Sequence, residues 1–317
     1  MSTLAIASTR PVTDGIETSL SGLVQGCQQE PAPGASLPRL SVGPWPGGPN
    51  GLCTRTRTSE GAPLDSHVYA PAGRRESLGT LISVHGVTRR AHEQFARWRP
   101  FAERLQLTLV APRFGRERFP GYQRLAGMKG GLPADLALRQ LLDQLRNDGL
   151  VGAGPVFLFG YSGGAQFVHR FLLAHPDAAD GAAVASAGWY TFPDRVTPFP
   201  YGLATSRVPL ASRLDAFLQK PLLVAVGEED IQRDRQLRRR LWMDAWQGRT
   251  RVERAERWTE ALRSEARRRG LGSRVSLCHL PGAGHSFTEC MAAGLGWQVA
   301  MFLADLLPLA GGNRGDV

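Results

Sequence analysis

The sequence has few cysteines and no long apolar run. Its 317 residues contain four cysteines, at positions 27, 53, 278 and 290, and none belongs to a CxxC pair. This argues against a disulfide framework and against a zinc or redox motif, although the sequence leaves open whether Cys278 and Cys290 pair. Charged residues, glycine or proline interrupt every apolar run before the roughly 18 residues that a membrane helix needs. We therefore expect no membrane span.

Lysine is almost absent as well. Of the 38 basic residues only Lys129 and Lys220 are lysines, and the formal net charge is +10. A basic surface attracts nucleic acid or anionic polymers without specificity. The arginines are dispersed among acidic residues and no recognition motif accompanies them, so we expect no specific nucleic-acid partner. No basic start precedes an apolar run at the N-terminus, which predicts no secretory signal and a cytoplasmic location.

Composition divides the chain into two parts. Residues 1–60 are rich in proline, glycine, serine and threonine, and we predict a flexible extension there. The hydrophobic fraction of 42% and the charged fraction of 21% exclude global disorder. Residues 61–317 alternate short apolar runs with amphipathic segments, and we predict that they form one domain.

Seven short apolar runs bounded by glycine or proline predict strands that are covered on both faces, as in a parallel sheet. They lie at 66–70, 80–84, 107–111, 156–159, 182–186, 222–226 and 274–280. Apolar residues at helical spacing predict helices over 135–147 and 165–174. This alternation predicts a three-layer α/β fold with a mostly parallel central sheet.

Two segments interrupt the alternation. Residues 187–220 contain four prolines and, between positions 189 and 201, five aromatic residues, and we predict a cap-like insertion above the sheet. Residues 231–270 are rich in arginine, but their apolar residues recur at helical spacing. We predict an arginine-rich helical insertion there, on the surface and with one docked face.

The segment that carries chemistry is an apolar strand that leads into Gly160-Tyr161-Ser162-Gly163-Gly164 and then into a helix. A sharp strand-to-helix turn exposes a serine hydroxyl at the carboxyl edge of a sheet, where α/β folds bind ligands. The glycines remove side chains that would clash with the neighbouring strand and helix. Ser162 is therefore the predicted nucleophile.

A serine nucleophile needs a base, and the base needs an acid that fixes its tautomer. His285 is the predicted base because it follows the last strand in a glycine-rich loop. Asp230 is the predicted acid because its distance from the end of the preceding strand lets the chain turn back toward the imidazole. Glu228 and Glu229 remain open as substitutes.

Acyl transfer also needs donors for the developing oxyanion, normally backbone N–H groups. Gly163 directly follows the nucleophile, and its N–H group is the first predicted donor. The loop after the strand at 80–84 reads His85-Gly86-Val87, and the N–H group of Val87 is the second. We expect His85 itself to be a structural residue of this loop.

The order Ser162, Asp230, His285, with His85-Gly86 upstream, resembles the α/β-hydrolase superfamily over roughly residues 65–310. The segment 247–255 is similar to bacterial esterases and polyhydroxybutyrate-depolymerase-like hydrolases. The resemblance implies the three-layer α/β-hydrolase fold and a serine hydrolase that acts through an acyl-enzyme, with no metal or organic cofactor. The interval of 55 residues between Asp230 and His285 is longer than is usual in the superfamily.

We therefore predict a carboxylic ester hydrolase acting on a small-molecule or oligomeric ester. Acyl transfer or peptide cleavage on the same residues, and a catalytically silent binding protein of the same fold, are the alternatives. Trp189, Tyr190 and Phe192 are predicted to line an apolar substrate pocket, with a small packing cluster as the alternative. The sequence leaves the natural substrate and the oligomeric state open.

Overall fold

The computed structural model describes residues 64–71 and 77–307, together with the backbone of residues 51–56. Its strands are β1 (Gly51–Thr56), β2 (Asp65–Pro71), β3 (Gly79–Val84), β4 (Leu107–Arg113), β5 (Val156–Tyr161), β6 (Gly181–Ala185), β7 (Leu222–Gly227) and β8 (Val275–Leu280). They form one sheet in the order β1-β2-β4-β3-β5-β6-β7-β8. β2 is antiparallel to β1 and β4, and every other neighbouring pair is parallel.

The seven predicted strands are confirmed as β2 to β8. β1 was not predicted, and it lies inside segment 1–60, so the sheet begins before the predicted domain boundary. It pairs with β2 from Gly51 opposite Pro71 to Thr56 opposite Ser66. An edge strand pairs on one side only, and the residues GLCTRT contain no apolar run that would mark it. The remainder of the predicted extension, 1–50 and 57–60, lies outside the described residues.

Helices connect the strands. They are α1 (Ala91–Arg104), α2 (Ala134–Asn147), α3 (Gly163–Ala174), α4 (Leu210–Leu218), α5 (Leu241–Gln247), α6 (Arg251–Arg268), α7 (Phe287–Ala292) and α8 (Leu295–Ala304), with a short 3₁₀ helix η1 (Tyr122–Arg124). The predicted helices at 135–147 and 165–174 are confirmed as α2 and α3. No helix in the described residues combines the length and the apolar character that crossing a membrane requires.

The helices cover both faces of the sheet. Successive strand residues point to opposite faces, so Leu158 belongs to one hydrophobic cluster and Phe159 to another. The first cluster includes buried residues of α2, α3, α4 and α6, and the second includes buried residues of α1, α7 and α8. The three-layer α/β architecture is therefore confirmed.

The segment 231–270 forms α5 and α6. α6 begins after Thr250, whose side-chain oxygen accepts a hydrogen bond from the Glu253 N–H at 3.2 Å and so caps the helix. One face of α6 is buried and includes Ala255, Leu262 and Ala266, as the apolar spacing predicts. This helix packs beside β7 and β8, with its first turn near the carboxyl ends of these strands.

Candidate active site

Ser162 stands at the turn between β5 and α3 with a φ of +52°. A non-glycine residue adopts this conformation only where its surroundings enforce it. The turn needs two glycines, because a Cβ atom on Gly160 would lie 2.4 Å from the Gly164 carbonyl carbon and one on Gly164 would lie 2.1 Å from the Val84 oxygen. Close packing therefore fixes Ser162 at the carboxyl edge of the sheet.

The structure brings Ser162, His285 and Asp230 together. Ser162 Oγ lies 3.2 Å from His285 Nε2, and His285 Nδ1 lies 2.8 Å from Asp230 Oδ2. A carboxylate oxygen only accepts hydrogen bonds, so Nδ1 carries the proton and Nε2 presents its lone pair to the serine. Asp230 is fully buried at this position, whereas Glu228 and Glu229 are exposed.

The loop after β3 packs against the serine turn. A Cβ atom on Gly163 would lie 3.1 Å from the Val87 nitrogen, and one on Gly86 would lie 3.7 Å from the Ser162 Cβ. Val87 and Gly163, whose N–H groups were predicted as oxyanion donors, are therefore neighbours beside Ser162. Any side chain at Gly163 would also clash with the Tyr122 hydroxyl, which would lie 2.8 Å from the added Cβ.

His85 holds this loop in place. Its Nδ1 donates to the Gly86 oxygen at 2.9 Å, and its Nε2 accepts the Phe114 N–H at 3.0 Å, so the ring is neutral. The Tyr122 hydroxyl donates to the His85 carbonyl oxygen at 2.8 Å. Burial lowers the pKa of His85 to about 4. These contacts agree with the structural role expected for His85.

Acid is expected to destabilise the fold through His85, by about 3 kcal/mol between pH 7 and pH 4. The unfolded chain protonates this histidine near its ordinary pKa of 6.5, whereas the folded chain does so only near a pKa of about 4. The stabilising contribution is therefore complete above pH 6.5 and is lost as the pH falls through 4. Urea unfolding at several pH values in this range measures the change.

The matched variant is His85→Gln, in which the amide oxygen still accepts the Phe114 N–H but does not titrate. Burial also lowers the pKa of His169, so the wild-type dependence on pH contains both histidines. The difference between wild type and His85→Gln isolates His85. An unchanged dependence on pH in the variant would contradict the prediction.

Arg251 is a site residue that the sequence did not reveal. It is buried, and its Nη1 donates to Asp230 Oδ1 at 3.1 Å, on the carboxylate oxygen that does not face His285. Asp234 accepts two further bonds from the same guanidinium, at 2.8 and 3.0 Å. Burial opposes the ionisation of Asp234, but its bonds to Arg251 outweigh that effect and lower its pKa to about 2.

The helical insertion also holds the segment that follows β6. Gln247 exchanges two hydrogen bonds of 3.0 Å with the backbone of Tyr190. Arg254 Nη1 donates to the Gly188 oxygen at 2.5 Å, and the Trp258 indole donates to the Thr191 oxygen at 2.8 Å. The insertion at 231–270 thus fixes both the predicted acid and the start of the cap-like segment.

The three aromatic residues predicted to line a pocket have different surroundings. Tyr190 is fully buried and stacks on Trp258 with ring centres 4.4 Å apart, and Phe192 lies in the hydrophobic core. These contacts favour the packing alternative for both residues. Trp189 is 6% exposed and its ring faces the Arg170 guanidinium, so for this residue contact with substrate stays a prediction.

Within residues 64–71 and 77–307, no three His, Cys, Asp or Glu side chains are arranged to hold a metal ion. Cys278 and Cys290 are free thiols. Cys27 lies outside the described residues, and only the backbone is described at Cys53.

Solved structures of hydrolases are similar to this chain. Poly(aspartic acid) hydrolase-1 from Sphingomonas sp. KT-1 is 29% identical, with a TM-score of 0.67, over 78% of this chain and 99% of that chain. LpqC, a poly(3-hydroxybutyrate) depolymerase from Bordetella parapertussis, is 28% identical, with a TM-score of 0.64, over 78% and 86%. An S-formylglutathione hydrolase from Agrobacterium tumefaciens shares the fold, with a TM-score of 0.52 at 15% identity over 81% and 95%. Scans of family models and of curated proteins find no match.

Fold and comparisons agree on the class of protein. The chain has the α/β-hydrolase fold, with a serine at the turn after β5 and a mostly parallel sheet. The two similar structures near 28% and 29% identity are both hydrolases. The comparisons therefore support a hydrolase of the α/β-hydrolase fold, as the resemblance implies.

Proposed function

We propose that the chain is a serine hydrolase that cleaves carboxylic esters through an acyl-enzyme on Ser162. The observation that carries the proposal is the unbroken series of contacts from Ser162 Oγ to His285 Nε2 and from His285 Nδ1 to Asp230 Oδ2, at 3.2 and 2.8 Å. The nearby backbone of Val87 and Gly163 supports it, because an oxyanion needs donors beside the nucleophile.

In the proposed reaction, His285 Nε2 takes the hydroxyl proton as Ser162 Oγ attacks the ester carbonyl carbon. Asp230 accepts the Nδ1–H bond and stabilises the imidazolium. The N–H groups of Val87 and Gly163 donate to the oxyanion. His285 then gives the proton to the departing alkoxide, and the acyl group stays on Ser162. Water attacks the acyl-enzyme by the same route and releases the acid.

Amide cleavage by the same residues is the second candidate. One similar structure is by its name a hydrolase of poly(aspartic acid), a polyamide, and another is a depolymerase of poly(3-hydroxybutyrate), a polyester. We favour the ester because an alkoxide leaves more readily than an amine. Acyl transfer would differ in the acceptor alone, and a silent binding protein would keep the fold without turnover.

A fluorophosphonate probe tests the proposal directly, because it reacts with an activated serine. Peptide mapping is expected to find the adduct on Ser162 and on no other serine. Matched ester and amide substrates, with and without an alcohol as acceptor, then separate ester cleavage from amide cleavage and from transfer. An unlabelled Ser162 together with no turnover of any ester would overturn the proposal and favour the binding protein.

Arg251 is proposed as a positioning residue that acts through Asp230. Arg251→Met is expected to move the acid limb of the kcat/KM profile upward by about one pH unit, because removal of a nearby positive charge stabilises the imidazolium. The same change leaves two carboxylates without their buried partner, so unfolding should become easier by about 3–5 kcal/mol. Titration of the active serine with fluorophosphonate normalises each rate to the folded fraction.

Arg251→Lys is the matched control. It keeps the positive charge but loses the two-pronged contact with Asp234. We expect the acid limb to stay near its wild-type position while stability still falls. An acid limb that stays in place in Arg251→Met as well would leave Arg251 with a purely structural role.

A further inference from the structure

Two arginines converge on Trp189, and a third lies near one of them. The guanidinium carbon of Arg170 lies 4.1 Å from the centre of the Trp189 ring, and that of Arg238 lies 5.1 Å from the same centre. The Arg238 guanidinium also donates to the Tyr201 hydroxyl. Arg124 ends η1 and directly follows Gln123, whose carbonyl oxygen accepts a hydrogen bond from Arg170 Nη1. We call Arg124, Arg170 and Arg238 the arginine cluster.

Helix α3 links the arginine cluster to the nucleophile. Ser162, Gln166 and Arg170 are spaced four residues apart, so they lie along one side of this helix. The helix rises ~1.5 Å per residue, which places the Arg170 backbone ~12 Å along the axis from Ser162. The Arg170 side chain turns back toward the serine, because its Nη1 donates to the Gln166 oxygen at 3.2 Å. Its guanidinium therefore lies nearer to Ser162 along the helix axis than the Arg170 backbone does.

No carboxylate balances this cluster within the described residues, where none of its three guanidinium groups lies within 4.0 Å of an Asp or Glu oxygen. Arg170 is fully buried. Its Nε donates to Thr191 Oγ1 at 2.8 Å and its Nη1 also donates to the Gln123 oxygen, but its Nη2 has no partner. Burial lowers the pKa of Arg170, and the charges of Arg124 and Arg238 lower it further.

The other two fully buried arginines in the described part of the chain are paired. Arg251 donates to two aspartates, and Arg254 donates to Asp244 at 3.0 Å. A buried positive charge without a carboxylate partner is unfavourable, and hydrogen bonds to neutral oxygens and the contact with an aromatic ring offset only part of that penalty. The three positive charges of the arginine cluster therefore favour an anion beside them.

We propose that the arginine cluster binds an anionic group of the substrate, a carboxylate or a phosphate, close to the ester bond that Ser162 attacks. This inference rests on the proposed function. Arg124 and Arg238 are exposed and contact the anion, while Arg170 adds its charge from the buried side. A guanidinium within ~12 Å of Ser162 along the helix axis fits an anion several bonds from the scissile carbonyl. The substrates are thus esters of acidic compounds, such as monoesters of dicarboxylic acids or acidic oligomers.

Two series of chromogenic esters test the proposal. The first uses p-nitrophenyl butanoates that carry a carboxylate, a phosphonate or a neutral carboxylate methyl ester at the far end of the acyl chain. The second places the same three groups on the leaving nitrophenol. The readout is the ratio of kcat/KM for each anionic ester to that for its neutral counterpart, which does not depend on the folded fraction of a variant.

The variants are Arg124→Gln, Arg238→Gln and the double substitution. Arg267→Gln is the matched control, because it removes one positive charge from an exposed arginine in the last turn of α6. In wild type we expect one series to show a ratio of about ten or more, since hydrogen bonds to charged groups are strong. Each cluster variant should lower the ratio about three- to tenfold, and added salt should lower it in wild type. Arg267→Gln should leave the ratio unchanged.

A higher ratio for the carboxylate or for the phosphonate would identify which anion the cluster prefers. Ratios near one in both series would overturn the proposal, as would a preference that survives the double substitution or falls equally in Arg267→Gln. If no ester is cleaved and Ser162 is not labelled, the proposed function fails. Calorimetric titration with glutarate and with inorganic phosphate then tests anion binding by the cluster separately from catalysis. Wild-type binding that weakens about tenfold in the double variant supports anion binding by the cluster, and no binding by wild type overturns it.

Discussion

Ser162→Ala is expected to reduce ester turnover by about five to six orders of magnitude while the fold stays intact. The substitution removes the proposed nucleophile and nothing that packs the turn, because the glycines on either side create the close contacts there. Any residual activity would come from the oxyanion donors and from substrate binding, which act without the serine. Steady-state rates with a p-nitrophenyl ester measure the loss, and urea unfolding checks the fold.

Ser186→Ala provides a matched control. Ser186 follows the neighbouring strand β6 with a φ of +50°, and it is fully buried. Removal of its hydroxyl should leave turnover near the wild-type value, although the backbone strain is similar. His285→Ala should match Ser162→Ala, and the double variant should be no worse, because these residues act as a unit. More than about a tenth of wild-type turnover in Ser162→Ala would eliminate the mechanism.

Local sequence was sufficient to predict seven of the eight described strands and the three residues that meet at the carboxyl edge of the sheet. β5 and β7 are buried along their whole length, because helices cover both faces of the sheet, and such strands show as uninterrupted apolar runs. Parallel strands end at one edge, so the residues after β5, β7 and β8 are brought together by topology alone. The preference for Asp230 over Glu228 and Glu229 depended on the turn. The burial of Asp230 and the exposure of both glutamates agree with it.

Arg251 could not be predicted in the same way. The apolar spacing of α6 identified Ala255 and Leu262 as the docked face, but Arg251 and Arg254 are buried on that face as well. An arginine is buried only when carboxylates or carbonyl groups elsewhere in the chain receive its hydrogen bonds. Those partners come from segments that the sequence pattern does not align, and arginine is too frequent in this chain for one residue to stand out.

The aromatic residues after β6 illustrate the same limit. Their position near the carboxyl edge of the sheet made a substrate pocket reasonable, yet Tyr190 packs on Trp258, which lies 68 residues later in the chain. Composition alone cannot distinguish a ring that faces substrate from one that faces a helix. Trp189 differs from its neighbour because two guanidinium groups lie over its ring, which also packs against Tyr201.

Asp230→Asn is expected to reduce turnover about 10⁴-fold near neutral pH, and Arg251 is the reason to expect the full effect. Arg251 donates to Asp230 Oδ1, so an amide at this position would turn its oxygen toward the guanidinium and its NH₂ group toward His285. His285 Nδ1 would then have to accept, which moves the ring proton to Nε2 and removes the base that faces Ser162.

Asp230→Ala provides the comparison, because it leaves the tautomer of His285 free instead of enforcing the wrong one. We expect Asp230→Asn to be at least as slow as Asp230→Ala, and Glu228→Gln and Glu229→Gln to stay close to wild type, since both side chains are exposed. Rates for all four variants, normalised to the folded fraction that urea unfolding measures, decide the assignment. An active Asp230→Asn enzyme together with an inactive Glu228→Gln or Glu229→Gln enzyme would assign the role of the acid to that glutamate. The reason is that only the carboxylate bonded to the imidazole reverses the direction of this hydrogen bond when it becomes an amide.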